Sequence, residues 1–457
     1  MGLKLSDFNE RINIDVGVGW QLPAELTLFD LLKSKSPKSL DKLRFISGDL
    51  KKANLGINED ELIVLLKDVD VVFHMAANVK FQEPLKETVL TNLGGSYNVL
   101  ELAKRFKNLS VYIHVSTSYC HVNEEILEEK MYPAPHNPRK MLDLVQWMNE
   151  NTLNKITPDI INGYPNTYAY TKSLTEELVG EYSSFMKIAI LRPSIVTASL
   201  SEPFPGWVDN LNGPTGLMIG CGKGIIRSML CNAQSVADLV PVDITINRMI
   251  VIAKELSNIE LLKEPLIINL TGDADNSITW GETLEFSKKH VLNNPFSIML
   301  WYPNATLRTC RFCHVLVVYL FHLVPAYFID FLLRIIRITP FLVRTQRKVS
   351  KGLNILNYYS SKKWNFEHNK IKMIASKLSK NDGEIFNCDL ISINWNDYFS
   401  NYILGIRKYV MHESSTSIPK AKRLLFRLYV LDLSTKICFL CFFIWIISYF
   451  ISTILKC

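Results

Sequence analysis

The sequence predicts an α/β protein built on a doubly wound parallel sheet, followed by a mainly helical C-terminal domain and a C-terminal transmembrane helix. Two observations predict this fold class. Three apolar segments typical of buried strands, 71–77, 111–115 and 188–191, each end in small or hydroxyl-bearing residues. Near the C-terminus, the uncharged apolar run 437–455 is long enough, at helical rise, to cross the ~30 Å hydrocarbon core of a bilayer.

The ends of the three strands carry small and polar residues that suit a binding site. Ligands in open α/β sheets bind beyond the carboxyl ends of the strands, and small residues there let a cofactor approach the backbone. We therefore expect the residues at these ends to line one site. In chain order they are Ala76 and Ala77, then Ser116 and Thr117, and then Pro193 and Ser194.

Tyr168 and Lys172 lie between the second and third strands, in a segment typical of a helix. At a spacing of four they share one helix face, where the ammonium can lower the pKa of the phenol and let it exchange a proton near neutrality. The spacing recurs at Tyr358 and Lys362, so it does not identify a site by itself. The position between two strand ends favours the first pair as the catalytic one.

With these motifs the chain resembles the eukaryotic fatty acyl-CoA reductases, members of the extended short-chain dehydrogenase/reductase superfamily. The likeness runs from about Leu28 to the C-terminus, and the block 202–214 is its most family-specific part. Further matches are Gly48-Asp49-Leu50, Asn92-Leu93-Gly94-Gly95, Ala237–Asp243 and Gly405-Ile406-Arg407. The resemblance implies an extended Rossmann-type reductase fold, NADPH as cofactor, and reduction of long-chain fatty acyl-CoA to fatty alcohol through the aldehyde.

The resemblance also implies a role for each site residue. Tyr168 would donate a proton to the substrate oxygen, and Lys172 would keep the phenol acidic and bind the nicotinamide ribose. Thr117, or Ser116 if the register differs by one residue, would donate a second hydrogen bond. The cofactor-binding residues that it implies are Asp49, Leu50, Ala76, Ala77, Asn92, Lys172, Pro193 and Ser194. No metal is expected.

The N-terminal residues depart from the family pattern. A glycine-rich turn, Thr-Gly-x-x-Gly-x-x-Gly, should receive the pyrophosphate at a helix N-terminus, whereas residues 1–27 contain only Val16-Gly17-Val18-Gly19. We therefore expect an atypical leader at 1–27, with no strand and with the first βαβ unit missing. Two other readings stay open. One is a catalytically inactive, membrane-anchored homologue that binds acyl lipid or partners, and the other is a hydroxy-lipid or sterol dehydrogenase.

Composition fits a membrane-associated enzyme, since 48% of the 457 residues are hydrophobic and the net charge is +7. We expect the reductase domain at 28–300 and a C-terminal domain at 301–415. The latter contains a membrane-interacting segment, 315–329, followed by basic residues suited to anionic headgroups. Basic residues before the span 437–455 favour a catalytic domain in the cytoplasm.

These features predict a single-pass C-terminal anchor on the cytoplasmic face of the endoplasmic reticulum or peroxisome. The expected partners are the acyl-CoA substrate and membrane lipid, and a homo-oligomer is left open. Neither zinc-ligand spacing nor a helix-turn-helix pattern accompanies the basic residues, so no nucleic-acid partner is expected.

Overall fold

A computed structural model describes residues 13–17 and 27–454 of the protein. Within them the strands are β1 (Asn13–Gly17), β2 (Leu43–Ser47), β3 (Val71–His74), β4 (Val111–Val115), β5 (Ile188–Pro193), β6 (Ile195–Thr197), β7 (Ser228–Leu230), β8 (Leu239–Pro241), β9 (Leu266–Leu270) and β10 (Thr306–Arg308). The α-helices are α1 (Asp30–Lys35), α2 (Glu59–Asp68), α3 (Leu85–Thr88), α4 (Gly95–Ala103), α5 (Pro138–Trp147), α6 (Glu150–Ile160), α7 (Thr167–Gly180), α8 (Pro214–Gly222), α9 (Val242–Ser257), α10 (Trp280–Asn293), α11 (Arg311–Val318), α12 (Val324–Ile335), α13 (Leu342–Ser361), α14 (Asn369–Ala375), α15 (Lys380–Ile385), α16 (Trp395–Gly405) and α17 (Ile418–Ile454).

The central sheet contains four parallel strands in the order β3-β4-β5-β9. His74 lies opposite His114, and Val115 lies opposite Leu191, so the carboxyl ends of β3, β4 and β5 are aligned at one edge. The three strands predicted from apolar runs are all present, and the parallel α/β fold class is confirmed.

Helices cover both faces of this sheet, as a doubly wound fold requires. On one face, Tyr112 packs in a core formed largely by α4, α5 and α7. On the other face, Val111 and Ile113 pack against α9 and α14. This alternation follows from the two-residue period of a strand, and it makes both faces of β4 apolar.

Strand β1 corrects one expectation. Asn13–Gly17 lies in the segment predicted to be a leader without strands, yet it pairs in parallel with Leu43–Ser47. The apolar-polar alternation Ile14-Asp15-Val16 favours a strand, but it is too short to stand out among polar neighbours. Val18 and Gly19, the remainder of the short glycine-containing segment, lie outside the described residues.

The chain divides into two compact units, each assembled from three segments. Unit 1 comprises Met1–Pro203, Asp238–Ser277 and Trp364–Ile393, and unit 2 comprises Phe204–Ala237, Ile278–Lys363 and Asn394–Cys457. Every predicted site residue lies in unit 1. The predicted boundary at residue 300 stays a prediction, and the compact units do not follow it because the chain returns to unit 1 after Lys363.

Within unit 2, two family-like segments meet through glycines. Gly206, from the block 202–214, has a φ of +79°, and a Cβ on Gly405 would overlap its carbonyl oxygen. Only residues without a side chain permit this backbone contact. Nearby, Thr215 and Tyr402 share a hydrogen bond of 2.7 Å, so α8 is joined to α16.

Two helical segments of unit 2 are long and apolar enough to cross a membrane, Arg311–Ile335 and Ser415–Tyr449. The first is longer than the predicted segment 315–329, because the helix continues through a π-helical turn into α12. Few of the residues in their apolar windows are buried, 17% and 6% respectively. Their exposed apolar surfaces are compatible with anchoring to a membrane.

Candidate active site

Helix α7 begins at a cap that sets the position of the Tyr/Lys pair. The Asn166 side chain accepts a hydrogen bond of 2.9 Å from the backbone N–H of Ala169, which satisfies one of the unpaired donors of the first turn. Tyr168 is therefore in the first turn, and Lys172 lies one turn further on the same face. Tyr168 is half-buried, and its ring centroid lies 5.7 Å from that of Phe81, in the loop after β3.

Lys172 links this helix to the edge of the sheet. Its side chain is buried, with the residue 3% exposed, and Nζ donates a hydrogen bond of 2.7 Å to the carbonyl oxygen of Val115, the last residue of β4. Burial lowers the pKa of Lys172 to about 8, although Cys120 and Glu176 act in the opposite direction. The ammonium is thus held at the carboxyl end of β4, where ligands of such sheets bind.

Ser116 and Thr117 follow β4 directly and are both buried. The Thr117 hydroxyl oxygen accepts a hydrogen bond of 3.3 Å from the backbone N–H of Tyr119, so its own proton remains to be donated. The Ser116 hydroxyl lies 3.6 Å from the Cys120 sulfur. Of the two candidates, Thr117 has the arrangement better suited to donating to a substrate oxygen.

Pro193 and Ser194 stand at the end of the neighbouring strand, β5. The backbone N–H of Ser118 donates to the carbonyl of Pro193 at 3.0 Å, and the Ser118 hydroxyl donates to the carbonyl of Arg192 at 2.6 Å. The backbone N–H of Ser194 in turn donates to the carbonyl of Leu270 at 3.2 Å. The ends of β4, β5 and β9 are therefore joined by hydrogen bonds.

Asn92 lies in a π-helical turn before α4 and is 2% exposed. Its side chain accepts from the backbone N–H of Asn78 at 2.7 Å and donates to the Thr171 hydroxyl at 3.1 Å. It thereby attaches the loop that follows Ala76 and Ala77 to the helix that carries Tyr168. Ala76 is exposed and Ala77 is partly exposed, so the backbone there is accessible.

Asp49 and Leu50 follow β2, which belongs to the two-stranded sheet with β1. The Asp49 carboxylate accepts from the backbone N–H of Lys51 at 3.0 Å, so it closes its own turn. The Leu50 carbonyl accepts from the Asn98 side chain at 2.7 Å, and a Cβ on Gly95 would lie only 3.0 Å from that of Leu50. These contacts order the turn against α4.

A buried charged network adjoins Lys172, and sequence reasoning missed it. Glu176, one turn beyond Lys172, is 0% exposed and accepts hydrogen bonds from Arg192 at 2.7 Å and from His121 at 2.8 Å. Burial would raise the pKa of Glu176, but Arg192 and His121 hold it well below its ordinary value. The only sequence signal was the spacing of four between Lys172 and Glu176.

Cys120 completes this network, since its thiol lies 3.2 Å from Glu176. Cys120, His121 and Glu176 carry potential metal-ligand atoms within 4.8 Å of one another. Both carboxylate oxygens of Glu176 already accept from Arg192, however, so a cation there would have to displace a buried guanidinium. The arrangement is that of an ion-pair network.

Two buried histidines lie next to Lys172 on the same face of the sheet. His74 makes a 2.9 Å hydrogen bond with the Ser96 hydroxyl, and its ring centroid lies 5.5 Å from that of His114. Burial and the neighbouring Lys172 lower the pKa of His74 to about 3 and that of His114 well below its usual range. Both rings are therefore neutral, so they add no positive charge beside the ammonium.

Comparisons with known families match most of the chain. A family model described as male sterility protein, of NAD-binding type, matches residues 21–249. A second, with the same description, matches residues 321–413.

Curated relatives cover nearly the same extent. Fatty acyl-CoA reductase 1 of Xenopus laevis is 37% identical over 87% of this chain and 77% of its own length. The human protein of that name is 35% identical with the same coverage. Fatty acyl-CoA reductase 2 of Mus musculus is 36% identical over 88% of this chain and 78% of its own length.

A solved structure shows the same fold at low identity. The terminal R domain of the myxalamid PKS-NRPS biosynthetic pathway superposes with a TM-score of 0.56 and 14% identity. The match covers 88% of this chain and 86% of that one.

Proposed function

The chain belongs to the fatty acyl-CoA reductase family, also described as the male sterility protein family, and we propose that it reduces long-chain fatty acyl-CoA to fatty alcohol with NADPH. The family match shows that the chain is an oxidoreductase with a nicotinamide cofactor. The observation that supports catalysis by this chain is the buried ammonium of Lys172 at the end of β4, one turn from Tyr168.

The residues at the sheet edge fit a nicotinamide nucleotide. An ammonium has three donors, and Val115 accepts one of them, so two remain for the hydroxyls of a ribose. Ala76 and Ala77 present backbone with little side-chain bulk at the end of β3. When bound, NADPH supplies the hydride for each of the two reductions.

The reaction requires groups that stabilise an oxyanion and supply protons. Reduction of a thioester by one hydride and one proton gives an aldehyde and releases the thiol, and a second hydride and a second proton give the alcohol. In our proposal Tyr168 donates the proton to the developing oxyanion, and Lys172 stabilises the phenolate that remains. The Thr117 hydroxyl donates the second hydrogen bond, while Asn92, Pro193 and Ser194 hold the surrounding loops.

Localisation and cofactor preference are further parts of the proposal. The basic residues Lys420, Lys422 and Arg423 precede the apolar part of α17, which favours a cytoplasmic catalytic unit anchored to the endoplasmic reticulum or peroxisome. We also propose that the protein prefers NADPH to NADH, that it contacts membrane lipid and that it forms a homo-oligomer. Each is open to direct measurement.

The test of function uses the full chain, reconstituted in lipid, with palmitoyl-CoA and NADPH, and measures hexadecanol. Tyr168→Phe should lower the rate by roughly 10²-fold or more, the usual scale for loss of a general acid. Tyr358→Phe is the matched control, because Tyr358 and Lys362 repeat the spacing in unit 2, whereas Tyr168 and Lys172 belong to unit 1. Equal rates for the two variants would show that Tyr168 is not the proton donor.

Replacing each hydroxyl separately tests the second donor. Thr117→Val should reduce the rate, whereas Ser116→Ala should have a smaller effect. The reverse order would assign the second hydrogen bond to Ser116.

A further inference from the structure

Unit 2 contains an apolar cavity remote in sequence from the catalytic residues. Together with the adjoining open solvent, it comprises about 580 Å³ of space free of protein atoms. Helices α8 and α10 and the two-stranded sheet of β7 and β10 form its wall. The lining is apolar nearly throughout, and its main members are Leu217, Met218, Met229, Leu284, Val291 and Leu307.

The few polar residues of the lining all come from α10 and differ in exposure. Lys288 is exposed, so it marks a solvent-facing side of the cavity. Ser287 is buried, and its hydroxyl donates to the Thr283 carbonyl at 2.6 Å within the helix. The Thr283 hydroxyl is buried and has no hydrogen-bond partner among the described residues.

The apolar lining, with one exposed ammonium on one side, indicates which class of ligand the cavity can bind. A ligand with polar groups along its length would leave them unpaired against the apolar wall, which is unfavourable. A flexible hydrocarbon chain can pack against the apolar lining without leaving any polar group unpaired. A polar or anionic end is favoured only on the side of Lys288. Helices α8 and α10 pack closely where Gly222 faces Val291, since a Cβ on Gly222 would lie 3.2 Å from that side chain, and this favours a slender chain over a bulky ligand.

We propose that this cavity binds an unbranched aliphatic chain, with its head group on the side of Lys288. The chain has two potential sources, the acyl group of the substrate and the tail of a membrane lipid. For the first source the inference rests on the function proposed above. For a lipid tail the inference is independent of the proposed function, since unit 2 also carries the two exposed apolar helices.

The experiment compares two variants on neighbouring positions of α10. Leu284 is half-buried and lines the cavity, whereas Glu285 is exposed and does not. Leu284→Trp fills part of the space, and each methylene excluded from it costs about fourfold in affinity. Leu284→Trp should therefore weaken binding of an 18-carbon fluorescent fatty acid, cis-parinaric acid, by at least about tenfold. Glu285→Trp should leave it within about twofold of the unchanged protein.

Turnover then identifies the source. If the chain is the substrate's, Leu284→Trp should raise KM for 18-carbon acyl-CoA far more than for 12-carbon acyl-CoA. If it is a lipid's, the probe is lost but the chain-length profile is unchanged. Probe binding is measured without NADPH and therefore does not depend on turnover. A protein that binds the probe but shows no reductase activity would contradict the proposed function and support the cavity proposal.

Thr283→Val gives a second, milder variant that preserves shape. With a plain hydrocarbon in the cavity, removing an unpartnered hydroxyl should leave probe affinity unchanged or tighter. A loss of about tenfold or more would overturn the proposal, since the occupant would then need a polar group there. Equal affinity of the unchanged protein and of Leu284→Trp for the probe, with both still folded, would overturn it as well.

Discussion

Replacing Lys172 by methionine should abolish reduction of acyl-CoA without weakening the fold at neutral pH. Burial lowers the pKa of Lys172 from 10.5 to about 8. Because one unit corresponds to ~1.4 kcal/mol, keeping the ammonium in the folded state costs about 3 kcal/mol below pH 8. Methionine removes this cost and also the hydrogen bond to Val115, worth ~1.5–3 kcal/mol, so the two effects roughly cancel.

The pH dependence of stability separates these two effects. Between pH 8 and 10.5 the folded Lys172 is neutral while the unfolded one is still protonated. The unfolded state then binds more protons, so wild-type stability rises with pH across this window. Methionine does not titrate, so the wild type should gain about 3 kcal/mol, or on the order of 5 °C, relative to Lys172→Met.

Thermal melting of the solubilised full chain, in half-unit steps from about pH 7 to 10.5, measures this difference. In the same samples wild-type kcat/KM should fall as pH rises through about 8, because the neutral amine cannot stabilise a phenolate. Lys362→Met, the matched control for activity, should retain the wild-type rate. If the melting temperatures of wild type and Lys172→Met changed in parallel with pH, the lowered pKa of a buried ammonium would be refuted. If Lys172→Met reduced acyl-CoA at the wild-type rate, the catalytic role of Lys172 would be refuted.

Three further predictions concern stability and membrane retention. Arg192→Met leaves the carboxylate of Glu176 buried without its main partner, so it should destabilise unit 1 by ~3–5 kcal/mol, measured as a lower melting temperature, whereas the exposed Arg44→Met should not. Gly405→Ala should lower stability or soluble yield, by more than the ~1–3 kcal/mol of ordinary overpacking, because the added Cβ meets the carbonyl of Gly206, and Gly352→Ala is the unhindered control. Ending the chain after Ser434 should reduce carbonate-resistant membrane retention and leave salt-sensitive binding; full resistance in the truncated chain would assign the span to Arg311–Ile335.

The sheet and the Tyr/Lys pair could be predicted because their signals are local. Each of β3, β4 and β5 is a continuous apolar run, and a spacing of four is enough to place Tyr168 and Lys172 on one helix face. The described helical segment Arg311–Ile335 extends beyond the predicted segment 315–329 at both ends. Proline within an apolar run usually ends or kinks a helix, so the pattern did not predict that the helix continues past Pro325 to Ile335.

The pairing of Glu176 with Arg192 could not be predicted, because it depends on topology. The two residues are on a helix and on a strand, and they meet only once α7 is packed on the sheet. His121 reaches the same carboxylate from the loop after β4. A charged residue at each of these positions would be assigned to the surface from sequence pattern alone.

The energetics of this network favour an active protein over the inactive homologue left open by the sequence. Lys172 is held as a buried cation that is unfavourable for folding, between neutral histidines that add no charge and a carboxylate whose charge Arg192 and His121 already balance. Methionine would fill the same position with about equal stability at neutral pH and without a buried charge. A cation that folding disfavours, placed where ligands of such sheets bind, is what catalysis of proton transfer requires and what a purely structural role does not.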